Sequence, residues 1–291
     1  MKRFTFLFFV SVFFSLSVAD AQNPSPIASP APTPVAQPAA KRSLEKSFIK
    51  NVFHDQVTIW TSPFKPSNYD SKWVVPVGLG AAALFATDRY TSDWVSRNGG
   101  LPVISHDVSW FGKPYTTGGI ALGWYLTGRL THNPKARETG ILALQALVNT
   151  GIVTEVLKQA TQRERPNAGA EGDGDFWAGG SSFPSGHSSS VWSLATVIAY
   201  EYRHTPWIKY GAFAAATAIS MSRYSGRNHF LSDIVAGSAL GFGIGRFVFK
   251  RYHDTDLDHP KPKTTTWLRP VIIPYYGGHT HGVGARLVWN F

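Results

Sequence analysis

Apolar residues along this chain come in blocks of helical length, at 73–86, 115–126, 141–157, 191–200, 210–221 and 234–249. Within the third block Ile141, Leu144, Val148, Ile152 and Val156 recur at spacings of three and four, which puts them on one stripe of a helix. Alternating patterns are scarce between 43 and 252. The blocks therefore predict an all-α domain over 43–255, a bundle of about six helices. The charge-free stretches within three of these blocks, 73–87, 114–128 and 139–154, fall short of the roughly 18 to 20 residues of a clear membrane span. Gly237, Gly241 and Gly245 form a ladder of small residues that lets helices approach closely, in a bilayer or in a soluble bundle.

The tail, 256–291, follows another period. Val283, Ala285, Leu287, Trp289 and Phe291 alternate with the residues between them, and a Gly277-Gly278-His279-Thr280-His281-Gly282 turn separates them from an apolar run at 271–276. A short C-terminal β-hairpin is predicted. The terminal aromatic is like the closing strand of an outer-membrane barrel, but two strands make no barrel. His279 and His281 would share a strand face and offer a metal site; a polar turn is the favoured reading.

At the other end, Lys2 and Arg3 precede an apolar run from Phe4 to Val18, and Ala19-Asp20-Ala21 offers a small-x-small cleavage site. Residues 1–21 read as a signal peptide, so the expected location is exported, periplasmic or membrane-associated. Residues 22–42 are Pro- and Ala-rich, too poor in bulky apolar side chains to fold, and read as a disordered linker.

Composition narrows the chemistry. Cysteine is absent from the 291 residues, which excludes disulfides, thiolate metal sites and cysteine nucleophiles. A net charge of +10 favours an anionic partner: phosphate compounds, an anionic lipid surface or nucleic acid. There is no G-x-S-x-G elbow for a serine hydrolase and no H-E-x-x-H run for a zinc hydrolase.

Three segments set rare polar residues among apolar helices. In the first, Lys158 and Arg165 are seven residues apart, nearly two turns, so on a continuous helix they face the same way; Pro166 makes Arg165 terminal. Two cations on one edge suit an oxyanion. In the second, Pro184-Ser185-Gly186-His187 opens a helix: Ser185 is a good N-cap, Gly186 permits close backbone approach, and the free amides attract an anion. In the third, Ser222-Arg223 is followed by His229 and Asp233. If His229 opens a helix, Asp233 lies one turn on and accepts its ring N–H, leaving the other nitrogen free to attack. Each segment alone reads more readily as a solvated or structural feature. The loop holding Glu171, Asp173 and Asp175 lacks calcium-hand spacing and reads as solvated; Trp177 and Phe183 beside it suit either a lipid chain or lid packing.

Taken together the segments spell K-x6-RP, PSGH and SR-x5-H-x3-D, with 17 residues between Pro166 and Pro184 and 34 between His187 and Ser222. This resembles the type 2 phosphatidic acid phosphatase (PAP2) family, which is grouped with bacterial acid phosphatases and vanadium haloperoxidases. The motifs cover Lys158 to Asp233. The resemblance implies that Lys158, Arg165 and Arg223 hold the phosphoryl oxygens, with Ser185 and Gly186 completing the cradle. His229 would attack phosphorus to form a phosphohistidine, oriented by Asp233, while His187 protonates the leaving group. No metal or other cofactor is implied, and no nucleic acid partner. The expected substrate is a phosphomonoester or diphosphate, with lipid or polyprenyl phosphates favoured by the apolar helices. Two alternatives remain: a haloperoxidase with vanadate in the cradle on His229, and a non-catalytic envelope protein that binds lipid.

Overall fold

A computed structural model describes residues 44–62, 71–97, 107–108, 110–168, 173–258, 271–277 and 282–288. The expected signal peptide (1–21) and linker (22–42), Glu171, and the turn with His279 and His281 lie outside the described residues.

Seven α-helices occur among the described residues: α1 (Leu44–Thr61), α2 (Ser71–Arg97), α3 (Pro114–Leu130), α4 (Pro134–Thr161), α5 (Gly186–Glu201), α6 (Pro206–Ser225) and α7 (Leu231–Tyr252). All but α1, which lies before the first apolar block, coincide with blocks legible in the sequence. It is held by polar contacts: buried Asp55 accepts from Gln145 at 2.7 Å, Asn149 at 2.9 Å and Tyr252 at 2.8 Å. Local chemistry marks the starts of the other helices. Proline opens α3, α4 and α6, and the Asn133 side chain accepts the Ala136 N–H to cap α4.

Helix α5 is the centre, packed against α4, α6 and α7. Its seam with α7 is backbone on backbone. A Cβ on Gly241 would come within 2.2 Å of the Ser189 carbonyl oxygen, one on Gly237 within 2.5 Å of that of Ser185, and one on Gly245 within 2.8 Å of that of Ser193. The glycine ladder thus meets a serine ladder at the same four-residue period. The main apolar core gathers Leu142, Ala146, Val153, Leu194, Val197, Ile244 and Val248.

The stripe expected along α4 divides. Ile141 is buried, but Val148, Ile152 and Val156 are 41%, 40% and 48% exposed. The buried face instead carries Ala143, Asn149, Thr150 and Thr154. Apolarity misleads here because the core takes polar side chains that find partners, such as Thr150 with Ser193 at 3.0 Å. Helices α4 and α7 are also long and apolar enough to cross a membrane by length and composition, once one or two charges are tolerated, although 56% and 44% of their apolar windows lie buried.

Two strands follow, β1 (Val271–Gly277) and β2 (Gly282–Val288), paired antiparallel with Val271 opposite Val288 and Gly277 opposite Gly282.

Candidate active site

The start of α5 and the start of α7 are stitched together: the Ser185 N–H donates to the Asp233 carbonyl at 3.0 Å. Ser185 caps α5 as its sequence suggests, its Oγ accepting from the Ser188 amide and hydroxyl. Both lone pairs are thereby engaged, and the hydroxyl proton is what remains to offer a ligand. Gly186 begins the helix beside Lys158, whose Cε would stand 3.7 Å from an added Cβ.

Lys158 and Arg165 converge by a route other than the expected helix face. Helix α4 ends at Thr161, Gln162 turns left-handed (φ 45°), and the chain leaves the helix before Arg165. Both cations then meet one residue, Ser181. Lys158 Nζ donates to its carbonyl at 2.5 Å and Arg165 Nη2 to its hydroxyl at 3.3 Å. Arg223 sits at the last turn of α6.

His229 lies two residues before α7 and is 2% exposed. Its expected partner Asp233 stands close by, and Ser182 joins the pair. The two side chains are 3.7 Å apart, and the Ser182 hydroxyl lies beside both, 2.5 Å from Asp233 Oδ2 and 3.4 Å from His229 Nδ1. The reason is local. Asp233 Oδ2 already closes the start of α7 by accepting the Phe230 N–H at 2.9 Å. Its other oxygen accepts from Arg163 at 2.7 Å.

Arg163 was not evident from the sequence, and neither was its second partner, Asp88. The guanidinium is 3% exposed and joins Asp233 to Asp88 (2.8 Å), to Ser232 (2.7 Å) and to the Gly174 carbonyl (3.0 Å). Phe230 lies 4.4 Å from it, and Phe85 and Phe176 lie 5.1 Å away. Gly112 is a further site residue, since a Cβ there would fall 2.9 Å from His187 Cδ2 and 2.8 Å from Ile219 Cγ2. The one signal in the sequence was position: Arg163 lies inside the Lys158–Arg165 segment, and Asp88 ends the uncharged stretch 73–87. Of the acidic loop, Asp173 is engaged in an ion pair with Arg89.

Electrostatics couple these groups. Burial, then the charges of Arg223, His229, Lys113 and Arg165, push the His187 imidazole down to about 3. Burial likewise lowers His229 to about 4, against the opposing pull of Asp233 and with help from Arg165 and Lys158. Arg223 is lowered to about 10 by burial and by Arg165. Both imidazoles are therefore neutral at neutral pH while no anion is bound. His187 Nε2 and Arg223 Nε are buried and lack a hydrogen-bond partner among the described residues. Such orphans beside a cluster of cations suit an anion that accepts from both.

Part of the chain is similar to known proteins. The PAP2 superfamily model matches residues 139–256. A PA-phosphatase related-family protein of Dictyostelium discoideum is 30% identical over 147 residues, 45% of this chain and 54% of that protein. Lipid A 1-phosphatase of Porphyromonas gingivalis is 30% identical over 98 residues, 32% of this chain and 22% of that protein. The chain thus spans about half of the first relative and less of the second. Among solved structures, the transmembrane PAP2-type phosphatidylglycerolphosphate phosphatase of Bacillus subtilis overlays with a TM-score of 0.48 at 18% identity, covering 72% of this chain and 96% of that one. LpxE of Aquifex aeolicus gives 0.40 at 23% identity, covering 52% and 86%. The stretch that matches the PAP2 superfamily model, residues 139–256, holds both histidines and the three cations.

Proposed function

We propose that this protein is a phosphatase that transfers a phosphoryl group to His229 and then to water, acting on a lipid or polyprenyl phosphate. The reading rests chiefly on the neutral, buried His229 beside Lys158, Arg165 and Arg223, where a neutral imidazole faces concentrated positive charge. Nδ1 faces Ser182 and Asp233, which leaves Nε2 as the nucleophile. It would attack phosphorus in line while the P–O bond to the leaving group breaks. The cations carry the charge on the phosphoryl oxygens, an arrangement in which one lost donor costs about 3 kcal/mol. His187, raised by the bound anion's charge, gives its proton to the leaving oxygen. It then takes one from the water that cleaves the phosphohistidine.

A lipid substrate is supported by a cavity of about 400 Å³ lined by Phe111, Val191, Leu194, Ile198 and Ile219. It begins one helical turn beyond His187 along α5. Membrane association is supported by α1, whose polar face is buried while Ile49, Phe53 and Val57 are 82%, 76% and 53% exposed. A signal peptide over 1–21 and a linker over 22–42 would place the domain 43–255 outside the cytoplasm.

Phosphate release from phosphatidic acid, polyprenyl diphosphate, nucleotides and p-nitrophenyl phosphate tests this reading. The lipid substrates should turn over fastest, vanadate should inhibit, and His229→Ala should abolish release. Turnover by His229→Ala at the wild-type rate removes the proposed nucleophile. Vanadate-dependent halide oxidation in place of phosphate release points to the haloperoxidase alternative.

A further inference from the structure

Four ionisable side chains meet at the end of the bundle away from His187. Glu138 lies in the second turn of α4, Glu201 ends α5, His253 follows α7, and Asp258 follows the short 3₁₀ turn Thr255–Leu257. Helix α5 separates Glu201 from Gly186 by about 22 Å. The catalytic groups proposed above therefore have no part in this cluster.

His253 Nδ1 stands 2.8 Å from Glu138 Oε1 and 3.4 Å from a Glu201 oxygen, and one ligand atom from each of the three residues lies within 4.8 Å of the others. Ligand atoms around a four-coordinate ion with bonds of about 2.0–2.1 Å are about 3.3 Å apart. On the far side of the ring, Nε2 is 3.0 Å from Asp258 Oδ2. A carboxylate there fixes the orientation and tautomer of a metal-ligating imidazole. Asp258 is held in turn by Arg203. Glu138 is fixed by the Asp254 N–H at 2.9 Å.

A separate observation concerns Glu201 alone. Its residue exposure is 0%, and apart from the long approach of His253 Nδ1 at 3.4 Å neither carboxylate oxygen has a hydrogen-bond partner among the described residues. A carboxylate stripped of water with only that distant contact is costly, and a coordinated cation lowers the cost.

We propose that Glu138, Glu201 and His253 bind one divalent cation of zinc-like chemistry, with water as fourth ligand, tying together the ends of α4, α5 and α7. One nitrogen and two carboxylates suit zinc better than calcium or magnesium, which take oxygen ligands in larger number.

The test uses full-length, tag-free protein, stripped with chelator, desalted and titrated with Zn²⁺ at pH 7.5 by calorimetry and thermal unfolding. One zinc per chain should bind and raise the Tm. Glu201→Gln should lose both effects, Asp258→Asn should weaken binding about 10- to 100-fold, and His229→Ala should bind as the wild type does. No uptake by wild-type protein overturns the proposal and leaves an imidazolium among carboxylates as the whole of the cluster. Unchanged uptake by Glu201→Gln overturns it too. Should that variant fail to fold, unchanged affinity in Asp258→Asn does the same. Loss of binding in His229→Ala would move the ion to the other end of the molecule.

Discussion

The Ser182 hydroxyl donates to Asp233 at 2.5 Å and lies 3.4 Å from His229 Nδ1, so it contacts both members of the pair. The carboxylate stands 3.7 Å from the imidazole, and the hydroxyl that touches both comes from the loop before α5. Ser182→Ala should therefore lower kcat on the order of 100-fold with little change in KM, the size expected when a reacting group is held about an ångström out of place. Ser182→Thr, which keeps the hydroxyl, should recover most of the loss. Steady-state kinetics on a lipid phosphate checks both, and equal activity in Ser182→Ala would mean that the hydroxyl does not orient His229.

Arg163 neutralises two carboxylates that are themselves 2% and 0% exposed. Arg163→Leu leaves both without their cation and should destabilise the protein by about 3–5 kcal/mol. Urea unfolding measures it as a shift in midpoint. Asp88→Asn should cost less, because Asp233 still balances the guanidinium.

Gly241→Ala places a methyl 2.2 Å from a backbone oxygen that cannot move aside, and should cost about 1–3 kcal/mol. Gly211→Ala in α6 meets nothing within 4 Å and should stabilise by about 0.5–1 kcal/mol through helix propensity. Thermal unfolding of the pair separates close approach from propensity.

His229 falls from 6.5 to about 4 on folding, so between those values the unfolded chain binds a proton that the folded one excludes. Stability is full above pH 6.5 and declines as pH falls towards 4, by about 3 kcal/mol from this residue. His229→Gln should flatten the fall of Tm across that interval. An unchanged slope would mean that the imidazole titrates normally.

His187 is depressed in part by Lys113. Lys113→Gln should raise the His187 pKa and carry the alkaline limb of kcat, which reports the substrate complex, to higher pH. NMR titration of the His187 ring reads the shift directly.

The helices and motif residues were legible because they depend on local rules: block length, proline at helix starts, Ser185 at a cap, and rare polar residues in a fixed order. The contacts between elements were not. Asp88 and Asp233 lie 145 positions apart in the numbering, and only the folded chain shows that Arg163 serves both. Ser182 carries no mark among its serine neighbours. The stripe on α4 failed for a related reason: apolar period identifies a helix but not which face meets the core, when Asn149 and Thr150 find partners inside. The expected equivalence of Lys158 and Arg165 assumed that the helix continues, whereas Gln162 ends it.

The serine and glycine seam between α5 and α7 has a consequence for how the chemistry can change. His187 and His229 sit at neighbouring ends of two rods clamped along their length by Gly237, Gly241 and Gly245 against Ser185, Ser189 and Ser193. A methyl added several turns away acts as a wedge under a long lever, and its displacement arrives at the reacting atoms as a change of angle. Tuning of the distance between the two rings is thereby closed to most substitutions near them and open to those far along the seam.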